Sequence, residues 1–227
     1  MAVPLEPEDV VVAADHVVAA LAPAVDADWS VPARAVDWEV RSTLLHSVSC
    51  VTCYTVDLAS QATARSPLAI NVPVHATNEQ ILGLLPATAR MMAAVAGAAP
   101  EGARGYHEGG MADASGFVAM AIDEVIMHGA DAVAGLGLEY DPPELLARKV
   151  VDRLFPWAPA DTDGWTALLW ANGRLALPGQ PQIRPNWSWQ CAPLDEWDGV
   201  IRFHRRNPPA SYEWDPDTRR WRGVPEP

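Results

Sequence analysis

The chain has 227 residues with 49% hydrophobic side chains, and 16 Lys+Arg against 29 Asp+Glu give a net charge of −13. That length and apolar content suffice for a sizeable core. The acidic balance excludes a general nucleic-acid or anionic-membrane surface, because neither polyanion is attracted to such a field. The three cysteines, Cys50, Cys53 and Cys191, form no disulfide framework, and an odd number fits a reducing compartment. The N-terminal stretch Met1 to Asp9 is acidic and lacks the basic region of a signal peptide. The apolar run from Val10 to Val25 is interrupted by Asp15, His16 and Pro23, too short and too polar to span a bilayer. The expectation is a soluble, cytoplasmic protein.

There is no internal repeat and no low-complexity tract. A first helix is predicted after Pro7-Glu8-Asp9, whose acids suit a helix N-terminus, with Val11, Ala14, Val18 and Leu21 at 3- and 4-residue spacings; it ends near Pro23. A second is predicted from about Asp37 to Ala64, with the apolar stripe Leu44, Val48, Val51 and Leu58. Beside it runs a polar stripe, Thr43, His46, Cys50, Cys53 and Asp57, on one side of the same helix. The stretch "RSPLAINVPVHA" is longer than the links of about 2–8 residues usual between bundle helices and suggests a crossover.

A third helix opens on Thr77-x-x-Gln80, a capping box, and carries Ile81, Leu85, Thr88, Met92 and Val95; Pro86 inside it is expected to kink it. The glycine-rich loop "PEGARGYHEGGMADASG" lacks a Gly-Lys-Ser/Thr ending, so a phosphate cradle is excluded. In the fourth helix Phe117, Ala121, Glu124, His128 and Asp131 share a face. The expected fold is therefore mainly α: a four-helix bundle with one long crossover over residues 1–139. Residues 140–227 are expected to form a small Trp-rich α+β region packed on it. There Asp141-Pro-Pro-Glu144 reads as a helix start with Asp141 as cap, and another helix runs from Asp161 to the Asn172-Gly173 stop. "NWSWQCAPLDEWDG" alternates like a short strand, and "WDPDTRRW" reads as a turn centred on Pro216.

The stretch "DEVIMHG" raises the chemical question. Glu124 and His128 stand four residues apart on a helix and so point the same way, one turn from each other. They form either a local hydrogen-bonded pair or two-thirds of a metal site whose third member comes from a facing helix. His46, on the polar stripe of the second helix, is the candidate. Two histidines and one carboxylate leave an open position, as in catalytic zinc sites, where the metal acidifies a bound water or thiol. The same donors could form a non-haem iron triad, although those commonly sit on strands. They could also belong to a non-catalytic metal- or ligand-binding module.

The ordered motifs "DWSVPARAVDWEVRSTLLH", "EGARGYHEGGMADASGFVAMAIDEVIMHGADAVAGLGLEYDPP", "LFPWAP", "ALLWANGRLALPG" and "WQCAPLDEWDG" resemble the mycothiol-dependent maleylpyruvate isomerase family, within the wider DinB-like metalloenzyme group. The resemblance spans about residues 20 to 200. It implies a four-helix bundle holding a divalent metal, usually zinc, through a histidine of the second helix and Glu-x-x-x-His of the fourth. These match His46, Glu124 and His128. It further implies mycothiol, a low-molecular-weight thiol, as cosubstrate with an electrophilic small molecule, in cis–trans isomerisation or S-transfer.

Other residues carry weaker expectations. Cys50 and Cys53 could make a competing His-Cys-Cys site or a redox pair with His46, but redox pairs sit at helix mouths and these are mid-helix. Small side chains beside the site are the simpler reading, with Cys50 near the substrate. His107 could overhang the site from the glycine-rich loop, and Asp131 could orient His128. His16 and His75 have no partner at a useful spacing. Cys191 reads as an inert buried thiol, and Arg205 and Arg206 as an exposed polar tail or contacts for a substrate carboxylate. No nucleic-acid or membrane partner is expected, and the chain could be a monomer or a small homo-oligomer.

Overall fold

The structure, a computed structural model, describes residues 3–180, 183 and 188–200, with the backbone of 211–215 and 220–224. It is mainly helical. In chain order the elements are α1 (Asp9–Leu21), α2 (Val40–Ala59), α3 (Asn78–Ala98), β1 (Arg104–His107), β2 (Gly110–Asp113), α4 (Ala114–Gly135), α5 (Glu144–Leu154), α6 (Gly164–Ala171), β3 (Ser211–Asp215) and β4 (Arg220–Val224). Short 3-10 turns lie at Ala22–Ala24 and Leu194–Glu196.

Helices α1 and α2 each pack on both α3 and α4, and α5 packs on α4 and α6. Helix α4 is the centre of this arrangement: almost every residue from Gly116 to Val133 is buried. A helix that is apolar all round can only be stable when partners cover every side. Its sequence supplies that, with Phe117, Met120, Ile122, Ile126 and Val133 in the core. Asp113 begins it by accepting a hydrogen bond from the Gly116 N–H at 2.8 Å, satisfying one of the orphan donors of a helix start. Helix α3 keeps the capping box foreseen at Thr77 and Gln80 and runs unbroken through Pro86. By length and composition it could cross a membrane, yet Ile81, Leu85 and Met92 are buried against the other helices.

Several local expectations need correction. Helix α2 is shorter than expected at both ends, because Glu39 occupies the cap position and the chain turns at Ser60 and Gln61, the latter with φ 48°. The glycine-rich stretch is not a plain loop: β1 and β2 pair antiparallel, Arg104 with Asp113 and His107 with Gly110. The Tyr106 N–H pins this hairpin to the Ala62 carbonyl at 2.7 Å. Helix α5 starts at Glu144, after both prolines, and Asp141 does not cap it. Instead the Glu144 carboxylate accepts from the Gly164 and Trp165 N–H groups at the start of α6, where a carboxylate meets the positive end of the helix dipole. Gly173, with φ 73°, ends α6 in the left-handed conformation its sequence suggested.

Residues 188–200 form no strand. Their backbone is held by Arg153, whose guanidinium donates to Gln190 O at 2.9 Å and Cys191 O at 3.0 Å while contacting Asp113 at 2.5 Å. A strand partner is unnecessary once a buried side chain satisfies those carbonyls. Strands β3 and β4 pair antiparallel, Ser211 with Val224 through Asp215 with Arg220. The turn at Pro216, Arg205 and Arg206, and the Asn186-Trp187 start of the aromatic segment lie outside the described residues.

Close approach of the 188–193 segment to α4 requires a residue without a side chain. A Cβ on Gly116 would sit 2.1 Å from Cys191 O, a backbone atom. Gly116→Ala is therefore expected to destabilise the fold by about 1–3 kcal/mol. Gly83→Ala has nothing within 4 Å to clash with, so it is expected to stabilise α3 by about 0.5–1 kcal/mol. Urea denaturation of the two variants checks both signs.

Candidate metal centre

The site forms where the polar stripe of α2 faces the Glu124–His128 turn of α4. Glu124 is 8% exposed and His128 11%, while His46 is 39% exposed. Both imidazoles approach the same carboxylate oxygen: His46 Nε2 lies 3.6 Å from Glu124 Oε2, and His128 Nε2 lies 3.2 Å from it. The two rings meet edge to face, centroids 5.1 Å apart, and Trp38 lies against both. The other carboxylate oxygen, Oε1, accepts the Tyr54 hydroxyl at 3.1 Å. Ser47 ties the helices together by donating to the Glu124 carbonyl at 3.0 Å.

Cys50 joins this group. Its Sγ is 3.4 Å from His46 Nε2, and the donor atoms of His46, Cys50 and Glu124 all lie within 4.8 Å of one another. Among the described residues this is the set close enough to hold a metal ion. His128 touches Glu124 but stands outside that mutual set. Tetrahedral zinc with N or O at about 2.1 Å and S at about 2.3 Å places neighbouring donors about 3.4–3.6 Å apart. The His46–Cys50 and His46–Glu124 separations of 3.4 and 3.6 Å fall at that edge length and the His128–Glu124 separation of 3.2 Å is slightly shorter, so the residues present fit a metal ion.

Two cavities share the site. One, of about 610 Å³, is bounded by Trp38, Asp123, His128, Asn172 and Arg174; the other, of about 520 Å³, by Cys50, Cys53, Tyr54, Asp57, Arg65 and His107. His46, Glu124 and Trp189 line both. Each volume is in the range of small-molecule sites. Of the α2 polar stripe, four members face the second cavity; Thr43 is buried instead, its hydroxyl on Glu39 O.

Electrostatics sort the donors. Burial alone would push the Glu124 carboxyl up, but the adjacent His128 imidazolium, His46 and the Tyr54 hydroxyl outweigh it and bring it down to about 2. Burial likewise disfavours charge on His128, yet the carboxylates of Asp131 and Glu124 raise it to about 9. Asp131 sits 3.5 Å from His128 Nδ1, close enough to pair electrostatically but too far for a full hydrogen bond, and Nδ1 has no hydrogen-bond partner. Arg174 holds Asp131 in place at 2.9 Å. His46 titrates below its usual range because burial strips it of water and His128 opposes a second charge. It is thus the neutral, lone-pair-bearing imidazole a metal needs.

The remaining sequence candidates fall as follows. His107 lies beside the second cavity, its ring against Tyr54 and Trp189 and its Nδ1 accepting the Gly109 N–H. Cys53 lines the same cavity. His16 holds the Asp141 carbonyl at 2.5 Å, far from the site, and His75 is exposed. Cys191 is buried, and burial lifts its thiol to about 11. Residues missed from sequence are Tyr54, Trp38, Asp123, Arg174 and Trp189. Tyr54 was findable, since 46, 50 and 54 are successive i, i+4 positions on one helix face. Asp123, bound by Asn172 at 2.9 Å and by the Trp189 indole at 2.8 Å, depends on partners 49 and 66 residues away and left no local signal.

The charge network makes metal-free stability pH-dependent. His128, raised from 6.5 to about 9, contributes stability that is complete below pH 6.5 and lost as pH rises through 9. Asp123, pushed up to about 7 by burial, weakens folding mainly as pH climbs towards 7, and the raised thiols of Cys50, Cys53 and Cys191 weaken it further towards pH 9, so His128 is read from the difference between wild type and His128→Asn. Between pH 7 and 9 metal-stripped wild type is expected to lose about 2 kcal/mol more than His128→Asn. Urea denaturation at pH 7, 8 and 9 measures the difference, and equal slopes would refute it.

A scan against models of known protein families, a search of curated proteins and a search of solved structures each found no match.

Proposed function

We propose that this chain is a metal-dependent thiol enzyme of the DinB-like, mycothiol-dependent maleylpyruvate isomerase type, with His46, Glu124 and His128 as metal ligands. The observation that carries the reading is the convergence of two imidazoles on one carboxylate oxygen at 3.6 and 3.2 Å, where two cavities meet. The sequence motifs point the same way. A divalent metal, zinc by preference for this donor set, supplies Lewis acidity that turns a bound thiol into a thiolate near neutral pH.

The chain's own residues do the rest. Tyr54 occupies Glu124 Oε1 and leaves Oε2 for the site. Asp131, fixed by Arg174, pairs electrostatically with the Nδ1 edge of His128 while Nε2 faces Glu124, an arrangement that favours one orientation of a ligating imidazole. Trp38 packs against both rings. One cavity receives the low-molecular-weight thiol, mycothiol on this reading, and the other the electrophile. Such a site serves cis–trans isomerisation, in which the thiol adds and leaves again, and equally S-transfer, in which it stays attached. The chain would act in the cytoplasm.

One observation favours a second reading. Glu124, His128, Asp131 and Arg174 already neutralise one another without a metal, as a purely structural ion network in a non-catalytic module would. Elemental mass spectrometry separates the two. Wild type is expected to hold about one zinc per chain, and Glu124→Ala and His128→Ala close to none. Tyr54→Phe is expected to keep the fold but bind zinc roughly 10–100-fold more weakly, measured by competition with a chromophoric chelator. Wild type that takes up no zinc would leave the structural network as the function of this site.

A further inference from the structure

We propose that Cys50 is itself a ligand of the metal, so that the site carries a resident thiolate which any external thiol must displace. This rests on the metal reading above and adds to it a fourth protein donor. Cys50 follows His46 by one turn of α2, which places both donors on the wall that faces Glu124. The mutually close donor set in the structure is His46, Cys50 and Glu124. Its Sγ–Nε2 distance of 3.4 Å and Nε2–Oε2 distance of 3.6 Å are tetrahedral edges for zinc, about 3.4–3.6 Å. Cys53, a further turn along, lines the cavity but does not belong to that set.

The proton balance is simple. When the metal binds, the Cys50 S–H bond breaks, the sulfur keeps the electron pair, and the proton leaves to solvent through the cavity beside it. When an external thiol takes the position, Cys50 Sγ receives that thiol's proton and returns to the neutral form. The net charge of the site is unchanged across the exchange, and nothing is oxidised or reduced. Without an external thiol, Cys50 closes the fourth position against water.

The test is cobalt substitution in buffer free of added thiol. Metal-stripped wild type titrated with Co²⁺ is expected to show visible d–d bands together with an intense near-ultraviolet thiolate-to-cobalt band. Cys50→Ser should lose the near-ultraviolet band and keep the visible ones, and Cys53→Ser should keep both. Visible bands without the near-ultraviolet band in wild type, or that band surviving in Cys50→Ser, would overturn the assignment while leaving the metal reading intact. Failure of wild type to take up cobalt at all would remove the metal reading and this inference together. A measurement on unmutated protein guards against a variant that does not fold: zinc should slow alkylation of Cys50 by iodoacetamide at least tenfold relative to Cys53, read by peptide mass spectrometry. Equal rates with and without zinc would overturn it.

Discussion

The Glu124 carboxylate is the group around which the rest of the site is arranged. A charged carboxylate this deep in a helical core is tolerable only if paired and hydrogen-bonded, because its desolvation costs several kcal/mol. The structure meets that demand from three directions: His128 on its own helix, His46 on α2 and the Tyr54 hydroxyl. Desolvation is the largest single influence on Glu124, yet the combined partners reverse it. Removing any one leaves a buried charge under-compensated, so the four side chains behave as a unit.

That unit dictates how α4 must be surrounded. A central helix buried on nearly all sides gives its polar groups little access to bulk water, so they draw on protein partners. Asp123 finds Asn172 and Trp189, and Asp131 finds Arg174. All three partners come from beyond residue 160, from the end of α6 and the segments after it. Arg153 plays the corresponding part at the other end of α4, tying Asp113 to the carbonyls of Gln190 and Cys191. The C-terminal segments therefore complete the polar side of the bundle and wall one of its cavities. The buried apolar residues form one cluster that reaches from α1 to α6.

Much of this was legible in the chain. Helical periodicity and the Thr77 capping box located α1 to α4, because amphipathic spacing and local caps are properties of a few neighbouring residues. Glu124 and His128 could be paired from spacing alone, and His46 followed from the polar face it shares with Cys50. Element ends were less legible. Glu144 lies in the first turn of its own helix as expected, yet its carboxylate also accepts the N–H groups that open α6 beside the Asp163 cap, a contact across twenty residues. The alternating aromatic segment read as a strand, since alternation records which side chains turn inward and not what satisfies the backbone between them.

By itself the sequence determined a mainly helical protein, an acidic balance of charge, and a carboxylate and an imidazole one turn apart on one helix, with His46 as a candidate partner from a second. The first three follow from composition and from the 3.6-residue period, both local. Only the tertiary structure decided that Cys50 stands closer to the compact donor set than His128 does, that Tyr54 occupies the second oxygen of Glu124, and that two cavities meet at this point. Those outcomes depend on the rotation and spacing of α2 against α4, set by the packing of the whole core. A difference of about one ångström there separates a ligand from a bystander, and no period in the sequence encodes distances that fine.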